Sequence, residues 1–541
     1  MATEGRSLSI SLGDEKRELP LGLTLLAAAI AAVVLSPLLW VFAGAWDARG
    51  SLDLLTSPTT QQVFINSALL VAGVTGASIV IGVPSAYLTV RTNLPFKRAF
   101  TVLLAMPLVV PSYIGAFAFV SAFGPRGAFQ DLLVPLGIER IPSIYGLHGA
   151  VLILTLYTYP YVYINTRAAL QSMDTRLVDA ARTLQHTQWG AFKRVIVPQI
   201  RPAVAAGSLL VALYTLSDFG TPAIMRYNVF TRVIYSNYND VLGGGRYKAA
   251  LLSLQLVVVT FVILSVESRV RGSGVRAKNP RARSSLVRLG KWRWPAAGAC
   301  LAVVATALLV PLGILGMWLV RSGSTVAAES LVFKPVYVSN SVSVAAAAAV
   351  VSAVAAVPIA FLAARYDSKL TWLIERGAYV GYAVPGVVMG LALVYFGARY
   401  GGSLYRNGLI LLPLLVFAYV VRFLPQAVGS SRAAFLQVSP QLSEAARTLG
   451  RSPARAFRDV TLPLVAPGVL GGAALVFLTT MKELPATLLL RPPGFDTLVT
   501  RVWTAYNAGH FGEAAIPALA LLGVSALSMF VILAMEGYDV E

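Results

Sequence analysis

The chain has 541 residues, 57% of them hydrophobic and only 13% charged, yet it carries 44 Lys+Arg against 24 Asp+Glu, a net charge of +20. Globular chains average about 25% charged residues, so the composition excludes an ordinary soluble domain, a disordered chain and a plain nucleic-acid-binding domain, and the basic excess needs a membrane explanation. The one cysteine, Cys300, excludes an intrachain disulfide and a cysteine-rich metal site.

A transmembrane helix takes about 20 mostly apolar residues. In chain order, twelve runs qualify, roughly 21–46, 62–90, 99–123, 146–166, 203–226, 248–268, 295–320, 337–364, 374–398, 408–431, 467–490 and 513–536. They are continuous rather than short and alternating, which argues against a β-barrel. The first run is far longer than the roughly 7–15 apolar residues of a signal peptide, so it reads as an uncleaved anchor.

Of the 44 basic residues, 29 fall in one set of connecting loops and 13 in the other. The richer set lies in the cytoplasm by the positive-inside rule. Both termini are then cytoplasmic, and the charge reports topology, with no nucleic acid required. The nine basic residues of 269–294 mark a cytoplasmic linker between a first half, 1–268, and a second half, 295–541.

The halves repeat each other. Residues 179–198 read DAARTLQHTQWGAFKRVIVP and residues 444–463 read EAARTLGRSPARAFRDVTLP, at an offset of 265 with no gap. Earlier in each half Asn66, Pro84, Arg91 and Pro111 match Asn340, Pro358, Arg365 and Pro385 at an offset of 274. Six spans separate the two matched loops, so both face the cytoplasm. The repeat is parallel, with a pseudo-two-fold axis along the membrane normal. Two equivalent docking elements suit a two-fold symmetric partner.

The loops, about 167–202 and 432–466, have readable local structure. Ser439-Pro440 supplies an N-cap and an N1 proline, and Asp174 can cap the matching helix. Asp179 and Glu444 fall in the first turns. The pairs Ala180-Ala181 and Ala445-Ala446 allow close approach of another backbone. Gly450 permits positive φ, Ser452-Pro453 restarts a helix, and Pro198 and Pro463 are expected to end it before the next span. Helical hairpins packed on the protein's own cytoplasmic ends are the plainer alternative.

The run Glu444-Ala445-Ala446, Gly450, Val460, Leu462-Pro463 resembles the EAA loop of ABC-importer permeases. The first copy keeps Asp179, Ala180, Ala181 and Pro198 but has Gln185 in place of the glycine. Residues 217–222 (SDFGTP) and 482–491 (KELPATLLLR) are similar to segments of fused ferric-iron importer permeases. The resemblance implies an all-α, duplicated type I permease fold in the bacterial inner membrane. It also implies two cytoplasmic ATP-binding subunits seated on the loops and an extracytoplasmic binding protein that delivers substrate. ATP and magnesium would belong to those partners, and the chain itself has no G-x-x-x-x-G-K-[ST] stretch. Thiamine, polyamine and phosphonate importers share this architecture. An ion-driven secondary transporter with two parallel six-span halves is the alternative from another class.

Charges inside spans are expensive and point to function. Asp218 and Glu483 are related by the repeat. With Ser217, Tyr214 and Lys482 they are candidates for a pathway or gate, and their carboxylates offer the oxygen ligands a hard cation takes in transit. A structural ion pair or a capped helix break is the alternative, with Lys482 seeking Asp218 across the axis. Arg422 is expected to snorkel or to pair between helices. Outside, Arg232, Arg501 and Trp503 are candidates for docking the binding protein, or for an interfacial aromatic belt. His148, His186 and His510 make no metal-ligand spacing.

Overall fold

The computed structural model describes residues 19–48, 53–124, 127, 129, 143–173, 187–240, 245–272, 287–321 and 332–535. Among these the chain is helical, apart from one isolated parallel bridge between Thr92 and Val287. Ten helices are long and apolar enough to cross a membrane, and two further helix pairs each make a sharply bent span. This is the all-α architecture of twelve segments expected above.

Four predicted spans differ in form. Runs 99–123 and 374–398 bend by 89° and 101° between Lys97–Val109 and Ser112–Phe123, and between Lys369–Ala383 and Gly386–Tyr400. The breaks fall at the matched prolines Pro111 and Pro385. Proline lacks an N–H and forces the preceding residue out of helical geometry, and Val110 and Val384 are both extended, with ψ 125° and 116°. Runs 203–226 and 467–490 begin earlier and stop sooner, as Trp189–Ser217 and Pro453–Met481, followed by the short helices Gly220–Ile224 and Pro485–Leu490.

Pro198 and Pro463 do not end a helix, contrary to the expectation. Each follows a π-helical turn, Phe192–Ile196 or Phe457–Thr461, and the chain runs on into Val197–Ser217 or Leu462–Met481. The wider turn absorbs the donor that proline lacks.

Each half is built on the same three-helix contact. Pro58–Arg91 packs on Leu147–Ser172 and Val197–Ser217, as Val336–Arg365 packs on Leu411–Gln437 and Leu462–Met481. Glycine sets the distance at matched places. A Cβ on Gly207 would lie 2.8 Å from Val162 Cα, and one on Gly472 would lie 3.0 Å from Ala427 Cα. Matched polar ties close both ends. Asn66 and Asn340 donate to the carbonyls of Asn228 and Asp496, both at 2.9 Å. Arg91 and Arg365 donate to those of Leu170 and Val438, at 2.8 and 2.7 Å. Each arginine thus neutralises helix-end carbonyls that would otherwise lack partners.

The first helix of each half packs on the other half. Leu21–Asp47 lies against Lys369–Ala383 and Gly386–Tyr400, and Val310–Arg321 lies against Ser112–Phe123. The two halves are therefore interlocked.

Candidate translocation cavity and coupling surface

Between the halves lies a cavity of about 180 Å³. Residues Leu210, Leu213, Tyr214 and Ser217 line it from one face of Val197–Ser217, as their spacing requires. Asp218, Arg422, Lys482 and Glu483 line it too. All five residues predicted from sequence as pathway or gate thus meet at one place, and Arg422 joins them. The four charges sum formally to zero.

Both carboxylates cap a short helix at repeat-related positions. Asp218 accepts from the Thr221 N–H at 2.9 Å, and Glu483 from that of Ala486 at 3.3 Å. Capping suits a carboxylate, because the first N–H groups of a helix have no internal partner. Their further partners differ. Asp218 accepts from Ser112 Oγ at 2.7 Å, and Tyr214 OH lies 3.4 Å from the same hydroxyl. Glu483 forms an ion pair with Arg422.

The neighbouring residue explains the difference. Position 112 of the first half corresponds to Gly386 of the second. A Cβ on Gly386 would overlap Glu483 Oε1 and come 2.7 Å from Arg422 Nη1. The shorter Asp218 leaves room for a serine, whereas the longer Glu483 with its arginine requires glycine.

Lys482 does not pair with Asp218. Its Nζ donates to the Leu108 carbonyl at 3.0 Å, in the bend before Pro111. That carbonyl is left open by the break in the first half, and it offers the lysine a tie across the axis. Arg422 follows the second of its two expected behaviours, pairing between helices. Ser112, Gly386 and the Leu108 carbonyl escaped sequence reasoning, although the matched prolines beside them marked the place.

Next to the cavity Phe219 sits between Tyr235 and Trp503, with ring centroids 4.7 and 5.2 Å away. Trp503 is thus half-buried in a cluster that joins the halves. Arg501 is only 7% exposed, lies 4.9 Å over the Tyr337 ring and pairs with Asp496 at 3.7 Å. Arg232 is half-buried and donates to Asn228 Oδ1 at 2.7 Å. Of the three docking candidates, Arg501 is therefore engaged inside the protein.

Among the described residues, no group of three or more His, Cys, Asp or Glu side chains could hold a metal ion. Asp218 and Glu483 each already have partners.

In the second candidate coupling loop, Ser439 caps the helix Pro440–Thr448, with Pro440 at its start. Gly450 turns the chain at φ +83°, and Ser452 caps Pro453–Ala456. No residue of Pro440–Thr448 is buried. Leu442 and Leu449 are 49% and 85% exposed, which argues against a hairpin packed on its own chain. In the first loop Asp179, Ala180, Ala181 and Gln185 lie outside the described residues, as does His186.

The family described as "Binding-protein-dependent transport system inner membrane component" matches residues 78–272 and 356–538. The chain is 31% identical over 524 residues to the Fe(3+)-transport system permease protein FbpB 2 of Haemophilus influenzae, covering 95% of this chain and 98% of that one. It is 25% identical over 557 residues to the probable ABC transporter permease protein y4fN of Sinorhizobium fredii, covering 95% of each. The molybdenum transport system permease protein ModB of Azotobacter vinelandii is 28% identical over 189 residues, 34% of this chain and 83% of that one. A unit found twice, with a full-length relative, leaves one conclusion: the chain belongs to the family of inner-membrane components of binding-protein-dependent transport systems, as a fused, duplicated permease.

Proposed function

We propose that this permease carries ferric iron inward across the bacterial inner membrane, taking it from an extracytoplasmic binding protein. Two ATP-binding subunits drive the cycle from the cytoplasm. The permease performs no covalent chemistry. ATP and magnesium stay in the partners, and closure of those partners passes through the two EAA loops to the cavity between the halves.

The similarity to a ferric permease over 95% of the chain carries the substrate reading. The unburied helix Pro440–Thr448 supports the partner reading, since exposed leucines on a short cytoplasmic helix suit a groove on another subunit. Asp179, Ala180 and Ala181 would serve the second subunit. Serine, tyrosine and carboxylate oxygens around the cavity suit a hard cation. Arg232 and Trp503 remain the candidates for meeting the binding protein.

A specific observation favours a second reading. Arg422 and Lys482 bring two positive groups to the cavity, which suits an oxyanion, and the molybdenum permease similarity points the same way. Both cations also weigh against a polyamine. Reconstitution with an ATP-binding subunit and a binding protein decides between them. ATP-dependent uptake of labelled ferric iron, with none of molybdate, thiamine or phosphonate, is expected. Molybdate uptake without iron uptake would establish the second reading. Uptake abolished only by uncouplers, with no ATP-binding subunit co-purifying, would identify a secondary transporter.

A further inference from the structure

A second cavity, of about 1000 Å³, lies between Leu21–Asp47 and Gly245–Gly272 of the first half and Gly386–Tyr400 of the second. Its mouth is at the helix ends opposite the basic loops. Asp47 is the last residue of its helix and Gly245 the first of the other. Its floor includes Trp40, Val41, Leu391 and Ala392. Trp40 lies seven residues before Asp47, about 10 Å deeper at 1.5 Å per residue.

The repeat shows what is unusual here. At the place related to it by the repeat, where Val310–Arg321 meets Ser112–Phe123 and the start of Phe511–Met535, three aromatic rings fill the space. Phe511 lies 5.5 Å from Trp318 and 6.0 Å from Phe117, centroid to centroid. The positions matched to Trp318 and Phe117 at an offset of 274 are Gly44 and Leu391, and the position matched to Phe511 at an offset of 265 is Arg246. The register is secure, because Pro37 meets Pro311 and Ala249-Ala250 meets Ala514-Ala515. Packing does not demand the glycine. A Cβ on Gly44 would make ordinary contacts, 3.7 Å from Ala250 Cβ and from Tyr395 Cδ2.

Of the two repeat-related places, this one thus has a leucine, an arginine and no side chain where the other has two phenyl rings and an indole. An unfilled space of this size with an apolar floor is costly, and in a bilayer the nearest filling is an acyl chain. At the mouth Asp47 and Arg399 pair at 2.9 Å and cancel. Arg246 remains as the net positive group, with its guanidinium 6.0 Å from the centre of the Tyr238 ring. A guanidinium beside tyrosines at headgroup level matches a lipid phosphate.

We propose that this cavity holds one anionic phospholipid from the leaflet opposite the basic loops, with its phosphate at Arg246 and an acyl chain on the floor formed by Val41, Leu391 and Ala392. The site rests on the membrane-spanning fold and is independent of what the permease carries.

Native mass spectrometry of the full chain tests it, after purification from bilayers of equal phosphatidylglycerol and phosphatidylcholine. Wild type is expected to retain one phosphatidylglycerol. Gly44→Trp, which installs the residue of the other half, is expected to lose it while remaining monodisperse. Where that variant does not assemble, Leu391→Phe narrows the same floor and is expected to lower retention. Arg246→Gln is expected to keep a lipid but to lose about fivefold in preference for the anionic headgroup, as for one basic residue near a membrane surface. Wild type retaining no lipid, Gly44→Trp or Leu391→Phe retaining it as wild type does, or Arg246→Gln with unchanged preference would each overturn the proposal.

Discussion

Glu483 and Arg422 hold each other in a site where neither is well solvated, with side chains 9% and 13% exposed. Removing one charge strands the other. Glu483→Gln is therefore expected to destabilise the purified permease by about 3–5 kcal/mol, and replacing both by apolar residues of similar size to recover most of that loss. Thermal unfolding of the two variants against the wild type checks this. Asp218 differs, because its partners are the Ser112 hydroxyl and the Thr221 N–H, and an amide can keep both, its oxygen accepting from Thr221 and its NH2 donating to the Ser112 hydroxyl. Asp218→Asn is expected to cost only about 1 kcal/mol in stability. If the carboxylate lines the path, reconstituted uptake falls at least tenfold. A wild-type rate with normal assembly removes Asp218 from the pathway.

At the scale of elements, the helix Pro440–Thr448, proposed to couple to an ATP-binding subunit, depends on a cap, a proline start and a glycine stop rather than on burial. Substitutions on its exposed face leave the permease as stable as before, within about 0.5 kcal/mol. Leu449→Glu is expected to abolish most binding-protein-stimulated ATPase activity in the reconstituted complex while the melting temperature stays put. Equal stimulation would show that the helix does not transmit closure. Gly450→Ala forces an L-residue into the left-handed region, which costs about 1–2 kcal/mol. It is expected to weaken both the turn and the association with the ATP-binding subunit, read by co-purification.

For the whole molecule, the exchanged first helices tie the halves together more firmly than the cavity walls do. Leu21–Asp47 covers the bent span of the second half, and Val310–Arg321 that of the first. Residues 1–268 and 269–541 made as separate chains are therefore expected to co-purify as one complex. A first chain that lacks the residues of Leu21–Asp47 is expected not to retain its partner. Independent migration of the two intact pieces would contradict the interlock.

The sequence by itself determined the class, the twelve segments, the parallel duplication and the local grammar of the loop 432–466. Each of these follows from information carried along the chain: apolar length against bilayer thickness, self-similarity at a fixed offset, and the dihedral preferences of Ser-Pro and Gly. It also marked Asp218, Lys482 and Glu483 as one group, because charge within an apolar run is costly wherever the run packs. Tertiary structure alone decided that the matched prolines bend spans by about a right angle, that Glu483 takes Arg422 while Lys482 crosses to Leu108, and that Arg501 turns inward. These outcomes depend on which helices meet. Gly386 makes room for a long acid, a broken helix exposes a carbonyl, and two first helices settle on the opposite halves. Spacing along one chain carries no record of such distances between segments.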